Sequence, residues 1–552
     1  MLIMSIPAFS AQASLFDIQN LLGRDFQPHD PFRLFADTIY PMLVAARPAL
    51  DSCYCAGNGR PAAEPVLLLG ISLLQFIERL PDRAAIEQVR YHIGWKLALH
   101  LPLDLQAPDP STLCNFRRRL LEHDQAKLAF NAVLDGLRRC GLLARRGAQR
   151  LDSTHVLGAV ARLSSLDCLR QTLRLALEEL ERRGTLPPFW EMLQDRYVRS
   201  KPDYRLEAPA LQQVYLQTGA DVLALLDWAA SQGPTVLEGR QMQLLARVFG
   251  EHFQPAEGRP QPLPRRPAGA VQNPHDPEAQ WASKGAGKGW TGFKAQVAET
   301  VHPEALPRGQ PTPEFLTAIE TQPATGSDPA GLEQVAEAQR QSGLETPGEL
   351  YVDGAYVSAE SIKNAAAAQC QIIGPALGAA HQRPGFGTEN FEVSVEERRA
   401  TCPAGRLNSG CTRSQKDDGK VTFRFEWGAQ CRDCPLRQAC IGDKPEGRTL
   451  EVGQHHTYLQ EHRRREKDPA FIEKMKRRNG IEGTLSELTR GHGLRRARYR
   501  GLAKARLQNY LIGAACNAKR RIRRLAWEIK QAALRAAAAV KTALSPPPAT
   551  AA

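Results

Sequence analysis

The sequence predicts an α/β protein: a mixed sheet flanked by helices, with an all-α region before it and two inserts within it. Three observations carry this. Short β-branched or alternating runs occur at Gln149–Val156, Gly292–Val301, Phe315–Thr321, Leu350–Asp353 and Gln371–Gly374. Apolar residues at helical spacing fill the stretches before and between them. The chain has 552 residues, 42% apolar and 24% charged, enough for a sizeable core in roughly two to four domains. This composition excludes a disordered tail protein, a collagen and a disulfide miniprotein.

Residues 1–145 read as an all-α domain for DNA binding or dimerisation, with helical spacing over Leu67–Leu80, Ala84–Leu99 and Phe130–Leu143. Asp109-Pro110-Ser111-Thr112 supplies an N-cap and a proline in the first turn. The helix it opens carries Asn115, Arg117, Arg118 and Arg119, which fits a DNA-reading helix or an ordinary surface helix with an arginine cluster.

Residues 146–158 form the first core strand, with Asp152 inside it, and residues 159–254 a helical insert. Leu173, Leu177 and Leu180 share one helix face there; Val222, Leu225 and Leu226 share another. Residues 255–290 read as a linker, because Pro255–Pro274 is proline-rich. The core resumes over 291–400: a hairpin, a helix opened by Asp328-Pro329 and stopped by Gly343, a strand ending at Asp353, a helix over Ser358–Ala368 and a final strand. A Cys-rich insert covers 401–446, basic helices 447–544, and a Pro/Ala tail, expected to be disordered, 545–552.

The longest apolar run, Val66–Ile77, contains Gln75 and is too short to span a bilayer as a helix. Met1–Ala13 lacks the positive start of a signal peptide, so a cytoplasmic protein is expected. Its twelve cysteines then read as reduced thiols or metal ligands.

Charge is concentrated. Between His462 and Arg524 lie 20 basic and 5 acidic residues, which accounts for the whole +13 excess of the chain. Such a segment points to a polyanion, most simply nucleic acid. Three acids stand out beside it: Asp152 within a strand, Asp353 at a strand end and Glu482 at a helix start. Neighbouring strands can bring the first two together, and three converging carboxylates can hold two Mg²⁺ ions roughly 3.5–4 Å apart for phosphoryl transfer. Each acid alone also fits a turn, a cap or an exposed helix face.

Arg150-Leu-Asp-Ser-Thr-His155, Tyr351-Val-Asp-Gly-Ala-Tyr356 and Arg478-Asn-Gly-Ile-Glu-Gly-Thr-Leu-Ser486, followed by Gly493-Leu-Arg-Arg-Ala-Arg-Tyr-Arg-Gly-Leu502, resemble the three catalytic blocks of DDE transposases from bacterial insertion sequences. Asp109-Pro-Ser-Thr112 with Phe116-Arg-Arg-Arg-Leu120 resembles their N-terminal helical domain, and the likeness runs from about Asp30 to Arg524. The resemblance implies that Asp152, Asp353 and Glu482 are the acids of a ribonuclease-H-like core using two Mg²⁺ or Mn²⁺ ions. It implies cleavage at terminal inverted repeats, 3′-hydroxyl strand transfer into target DNA, and at least a homodimer in the synaptic complex. Relatives with a Tyr-Arg-Glu-Lys pattern are matched in part: Arg478 fits, whereas Met475 replaces the Tyr and Thr489 the Lys. Arg490, offset by roughly 80° on an ideal helix, is the substitute phosphate contact. Glu487 is a weaker rival for the third acid.

Cys402, with Cys431, Cys434 and Cys440, can make a four-thiolate structural Zn²⁺ site, with Cys411 as a spare first ligand. A Cys-rich insert at this place also occurs in a sub-group of the resembling transposases. Cys114, Cys140, Cys168, Cys370 and Cys516 read as packing residues, and Cys53 and Cys55 are too close for a zinc knuckle. His455 and His456 read as exposed loop residues. Arg495, Arg496, Arg498 and Arg500 offer phosphate-binding forks and Tyr499 a stacking ring. Lys519, Arg520, Arg521, Arg523 and Arg524 form a second basic cluster. Two rival readings use the same residues: a divalent-dependent nuclease without strand transfer, and a zinc-containing DNA-binding protein that has lost catalysis.

Overall fold

The computed structural model describes residues 4–5, 18–55, 60–201, 203–256, 258–285, 287–304, 309–376, 385–417 and 419–544. The expectations for Met1–Ala13 and for the tail 545–552 lie outside them, apart from the two-residue strand Met4–Ser5.

The apolar run becomes the helix Pro65–Glu78, whose residues from Pro65 through Phe76 are all buried. Glu64 caps it and Arg79, in the left-handed region, ends it. Asp109 accepts from the Ser111 amide at 2.8 Å and opens Pro110–Glu122, as the motif predicts. Among the described residues, no helix is long and apolar enough to cross a membrane.

Six strands form the central sheet: β1 (Gln149–Leu157), β2 (Gln280–Ser283), β3 (Gly289–Thr300), β4 (Leu316–Pro323), β5 (Glu349–Tyr351) and β6 (Gln371–Ile373). The order is β6-β5-β1-β3, with β2 and then β4 pairing successive stretches of the far edge of β3. β1, β3 and β4 are antiparallel neighbours, while β5 runs parallel to β1 and β6 parallel to β5. The helices Asp328–Gln341 and Ala359–Ala367 provide the crossovers that parallel strands require. This mixed sheet is compatible with a ribonuclease-H-like core.

The Pro-rich stretch is not a linker. Phe253–Ala256 and Arg259–Pro262 pair as an antiparallel ribbon, β2 joins the main sheet, and Val271, Asn273, Asp276 and Ala279 are buried. A two-stranded ribbon leaves one edge of each strand unpaired, where proline's missing N–H costs no ladder bond. His456 is also not exposed: it is buried in the first turn of His456–Arg465, and burial drops its pKa to about 4.

The helical insert has its own core, built from Leu169, Leu173, Leu177, Val222, Leu225 and Leu245. The N-terminal helices do not stand apart. Phe76 and Phe130 share one apolar cluster with Val297 and Ile319 of the sheet and with Ala514 and Ile522 of the long C-terminal helix, Leu502–Leu544. Gly513 lets that helix approach: a Cβ there would lie 2.8 Å from Ile319 and 3.0 Å from Phe130. Gly513→Val is expected to destabilise the fold by about 1–3 kcal/mol through overpacking. Urea unfolding checks this, and an unchanged midpoint would contradict it.

Candidate active site and nucleic-acid interface

The site rests on a buried charge network. Glu299 on β3 is fully buried and lies opposite Arg150 of β1 in the ladder. Its carboxylate accepts from Arg150 Nε at 2.6 Å, Arg520 Nη1 at 2.8 Å and Thr484 Oγ1 at 2.7 Å. Arg520 Nη2 donates to Thr484 Oγ1 at 2.7 Å, and its Nε donates to Glu487 at 2.9 Å. One carboxylate thus joins two sheet strands, the Glu482 helix and the C-terminal helix. Gly480 permits the contact, because a Cβ there would sit 2.1 Å from Arg150 Nη1. Arg150 lies two residues before Asp152 on the same strand face, and Thr484 two residues after Glu482.

Asp152 is mostly buried, and its Oδ1 accepts the Ser153 amide at 2.7 Å. Arg478 spans two acids: Nη1 lies 3.2 Å from Asp152 Oδ2, and Nη2 lies 3.8 Å from Glu482 Oε1. Glu482 is largely exposed. Asp353 stands two residues beyond β5 and caps the turn Gly354–Tyr356, accepting the Ala355 amide at 2.9 Å. Burial, and then the Asp353 charge, push the Asp152 carboxyl above its ordinary range against the pull of the Ser153 amide, Arg478 and Lys284. Asp152 thus feels the Asp353 charge and shares Arg478 with Glu482, although among the described residues the ligand atoms of the three acids do not all lie within 4.8 Å of one another.

Glu487 is taken up by the frame, pairing with Arg520 at 2.9 Å and Arg523 at 3.3 Å. Ligand atoms of Glu487, His492 and Cys516 lie within 4.8 Å of one another. Both oxygens of that carboxylate are already engaged by arginine, so the trio is not open to a cation. The Glu482 helix is not uniform: a 3₁₀ turn at Lys476–Asn479 precedes the α-helix Gly480–Ser486, and a π segment, Glu487–Gly491, follows. The 80° offset expected for Arg490 on an ideal helix does not apply across that π segment. Its side chain is exposed, while its carbonyl accepts from Arg79 at 2.9 Å.

The arginines divide into two groups. Arg117 is buried and pairs with Asp82, and Arg119 is buried over the Tyr54 ring at 4.2 Å. Both turn inward because Leu113, Phe116 and Leu120 pack the face of Pro110–Glu122 that Arg117 shares, and Tyr54 covers Arg119. Arg118, 61% exposed, still faces solvent. Tyr499 is half-buried with Arg117 5.2 Å from its ring, so it is no free stacking platform. Arg495 contacts the His155 ring, and Arg498 lies over Phe76 at 4.7 Å and donates to the Leu80 carbonyl at 2.9 Å. Arg496 and Arg500 are exposed, although the Arg495–Ala497 backbone adds bonds to Leu157 at the end of β1. Of the second cluster, Arg520 is buried and Arg524 pairs with Glu528 at 2.6 Å, while Arg523 stays largely exposed.

In the Cys-rich insert, Gly410–Gln415, Val421–Glu426 and Thr449–Gly453 form a three-stranded antiparallel sheet. Beside it Cys402, Cys431, Cys434 and Cys440 line one cavity of about 20 Å³, and Cys431 Sγ accepts the Arg448 amide at 3.3 Å. Burial raises the Cys440 thiol pKa, and the other three cysteines add to that rise against the pull of Arg448. Among the described residues, no three of these sulfurs lie within 4.8 Å of one another. Cys411 sits on the first strand and does not line the cavity.

Sequence reasoning missed Glu299 and Lys284, and it missed that Arg150, Thr484 and Arg520 bind the Glu299 carboxylate or its partners. One signal was available: Phe293, Ala295, Val297 and Glu299 alternate onto one strand face, which places a lone carboxylate on an apolar surface.

The mixed sheet is compatible with the core of DDE-type enzymes. Residues 390–522 match the family described as transposase DDE domain, and residues 22–119 match transposase domain (DUF772). These two matches support a DDE transposase of an insertion sequence. Glu482 and the four cysteines fall within the first match; Asp152 and Asp353 lie outside both. No curated protein and no solved structure matches the chain.

Because folding raises the Asp152 pKa, its ionisation opposes folding: the benefit is present below the unfolded pKa and lost as pH rises through the folded one. Asp152→Asn is therefore expected to raise the unfolding midpoint of the metal-free protein at neutral pH and not in acid. Denaturant unfolding at the two pH values reads this, and destabilisation at neutral pH would contradict it.

Proposed function

We propose that the protein cuts DNA at the ends of its element and joins the freed 3′-hydroxyl to target DNA, using Asp152, Asp353 and Glu482. The observation that carries this reading is that Arg478 reaches both Asp152 and Glu482, while the Asp353 charge helps burial hold the Asp152 carboxyl above its ordinary range. Carboxylate oxygens fit hard divalent cations, so Mg²⁺ or Mn²⁺ is the partner that would draw these three together. When bound, such ions supply an activated water or hydroxyl and charge relief on the leaving oxygen. Arg478 keeps Asp152 and Glu482 facing each other and presents a guanidinium to an arriving phosphate. Arg118, Arg490, Arg496 and Arg500, exposed on the N-terminal helix and around the Glu482 helix, are the DNA contacts the reading favours. Two element ends require at least two protomers in the working complex, so a homodimer is the expected unit.

Cys402, Cys431, Cys434 and Cys440 would hold a structural Zn²⁺, which fits their shared cavity and the N–H···S bond to Cys431. The sulfurs would draw together on binding, so metal would contribute to the folding of the insert. Metal analysis is expected to find one zinc per chain, lost in Cys434→Ser and kept in Cys411→Ser. Zinc retained in Cys434→Ser would contradict the assignment.

The test of function is end cleavage and strand joining on the DNA that flanks the gene. Wild type in Mg²⁺ should cleave and join; EDTA and Asp353→Ala should each reduce both to below roughly one-hundredth. Cleavage without joining would make the protein a nuclease, and binding with neither would make it a DNA-binding relic.

A further inference from the structure

The helical insert holds a cavity of about 640 Å³ that the chemistry above does not use. It lies between the start of the helix Ser165–Arg183, the helix Ala208–Ser231 and the Pro-rich ribbon. Ser164, Tyr215, His252, Arg265 and Arg266 are among its walls.

His252 is 1% exposed, and burial with the nearby Arg266 charge drops its pKa to about 3, so the ring is neutral. Tyr215 Oη lies 2.9 Å from His252 Nδ1. The phenol keeps its proton, since burial pushes its pKa up to about 12. It has no other acceptor among the described residues, so Oη donates to Nδ1. That bond fixes the tautomer and leaves Nε2 carrying the ring hydrogen.

Nε2 is buried and has no hydrogen-bond partner, and the same is true of Arg266 Nε. Arg266 is anchored through Nη2 on the Val271 carbonyl, so its fork cannot turn away freely. Two buried N–H donors without acceptors therefore belong to walls of one cavity. A buried donor without a partner costs about 1–3 kcal/mol, a cost that a bound acceptor removes. Exposed Arg265 adds positive charge, and the nineteen-residue helix opened by Ser164 turns its N-terminus to the same space. The nearby carboxylates are occupied: Glu251 accepts from Arg247 at 2.8 Å and from the Val271 amide at 2.7 Å and lies 3.9 Å from Arg266 Nη2, leaving Arg266 Nε free, and Asp167 accepts from Ser164 at 2.7 Å and from Tyr204.

We infer that this cavity binds a phosphate group, with His252 Nε2–H and Arg266 Nε–H donating to its oxygens and Arg265 supplying charge at the mouth. The volume admits a nucleotide-sized ligand, so the phosphate comes from a DNA backbone passing over the insert or from a free mononucleotide. The inference does not depend on the transposase reading, because it concerns donors remote in sequence from the three acids.

The test is calorimetric titration of the full chain, in EDTA, with inorganic phosphate, a mononucleotide and a short DNA duplex. Inorganic phosphate should bind saturably, and His252→Phe and Arg265→Ala should each weaken it about tenfold. Arg265 is exposed, so its variant carries the test if His252→Phe fails to fold. If DNA is the source, duplex affinity should fall in Arg265→Ala, and the slope of log K against log salt should drop by about one. If a mononucleotide is the source, its affinity alone should fall with that of phosphate. Wild type that does not bind phosphate, or an Arg265→Ala variant that binds it unchanged, would overturn the inference whatever the outcome of the DNA-joining assay.

Discussion

The arrangement depends on one buried carboxylate. Glu299 has no solvent to neutralise it, so it must hold cations, and the two it holds, Arg150 and Arg520, lie far apart in the chain. Removing one partner of such a set leaves an uncompensated buried charge, at a cost of about 3–5 kcal/mol. The geometry is therefore tightly constrained wherever the fold exists. Arg150 fixes the strand of Asp152, Thr484 fixes the helix of Glu482, and Arg520 fastens the C-terminal helix over both. Asp152 and Glu482, far apart in sequence, both reach Arg478 because residues two positions from each are bound to the same carboxylate.

Burial also sorts the basic residues. Arg117, Arg119 and Arg520 are internal struts, each facing a carboxylate or an aromatic ring. Their charge is unavailable to a phosphate. Arg118, Arg490, Arg496 and Arg500 reach solvent and keep theirs. The net positive charge of the segment after His462 thus overstates its DNA-binding surface, because part of it neutralises Glu299, Glu487 and Glu528. Long-range attraction of DNA and rigid positioning of the site draw on the same residue type.

The sheet was legible because its strands alternate or carry β-branched runs, and their order along the chain left few arrangements. The choice of Asp152, Asp353 and Glu482 rested on the text around them, and that of the cysteine quartet on its spacing. The charge network was not legible. It pairs residues far apart in sequence, and only Glu299, set in an apolar strand face, left a local trace. Arg117 was readable in principle, since it follows Leu113 by four and shares that buried face, whereas Arg119 turns inward only because Tyr54 covers it. The ribbon at 253–262 was hidden by composition: proline content reads as linker unless the pairing partner is known.

The central claim is that Asp152, Asp353 and Glu482 form a single cation site on one rigid frame. Loading the protein with Fe²⁺ and generating hydroxyl radicals at the bound ion would cut the backbone within a few ångströms of it. The account predicts cuts beside all three acids, lost together when Mg²⁺ competes. Cuts beside only one of them, or at Glu487 and His492 instead, would contradict it.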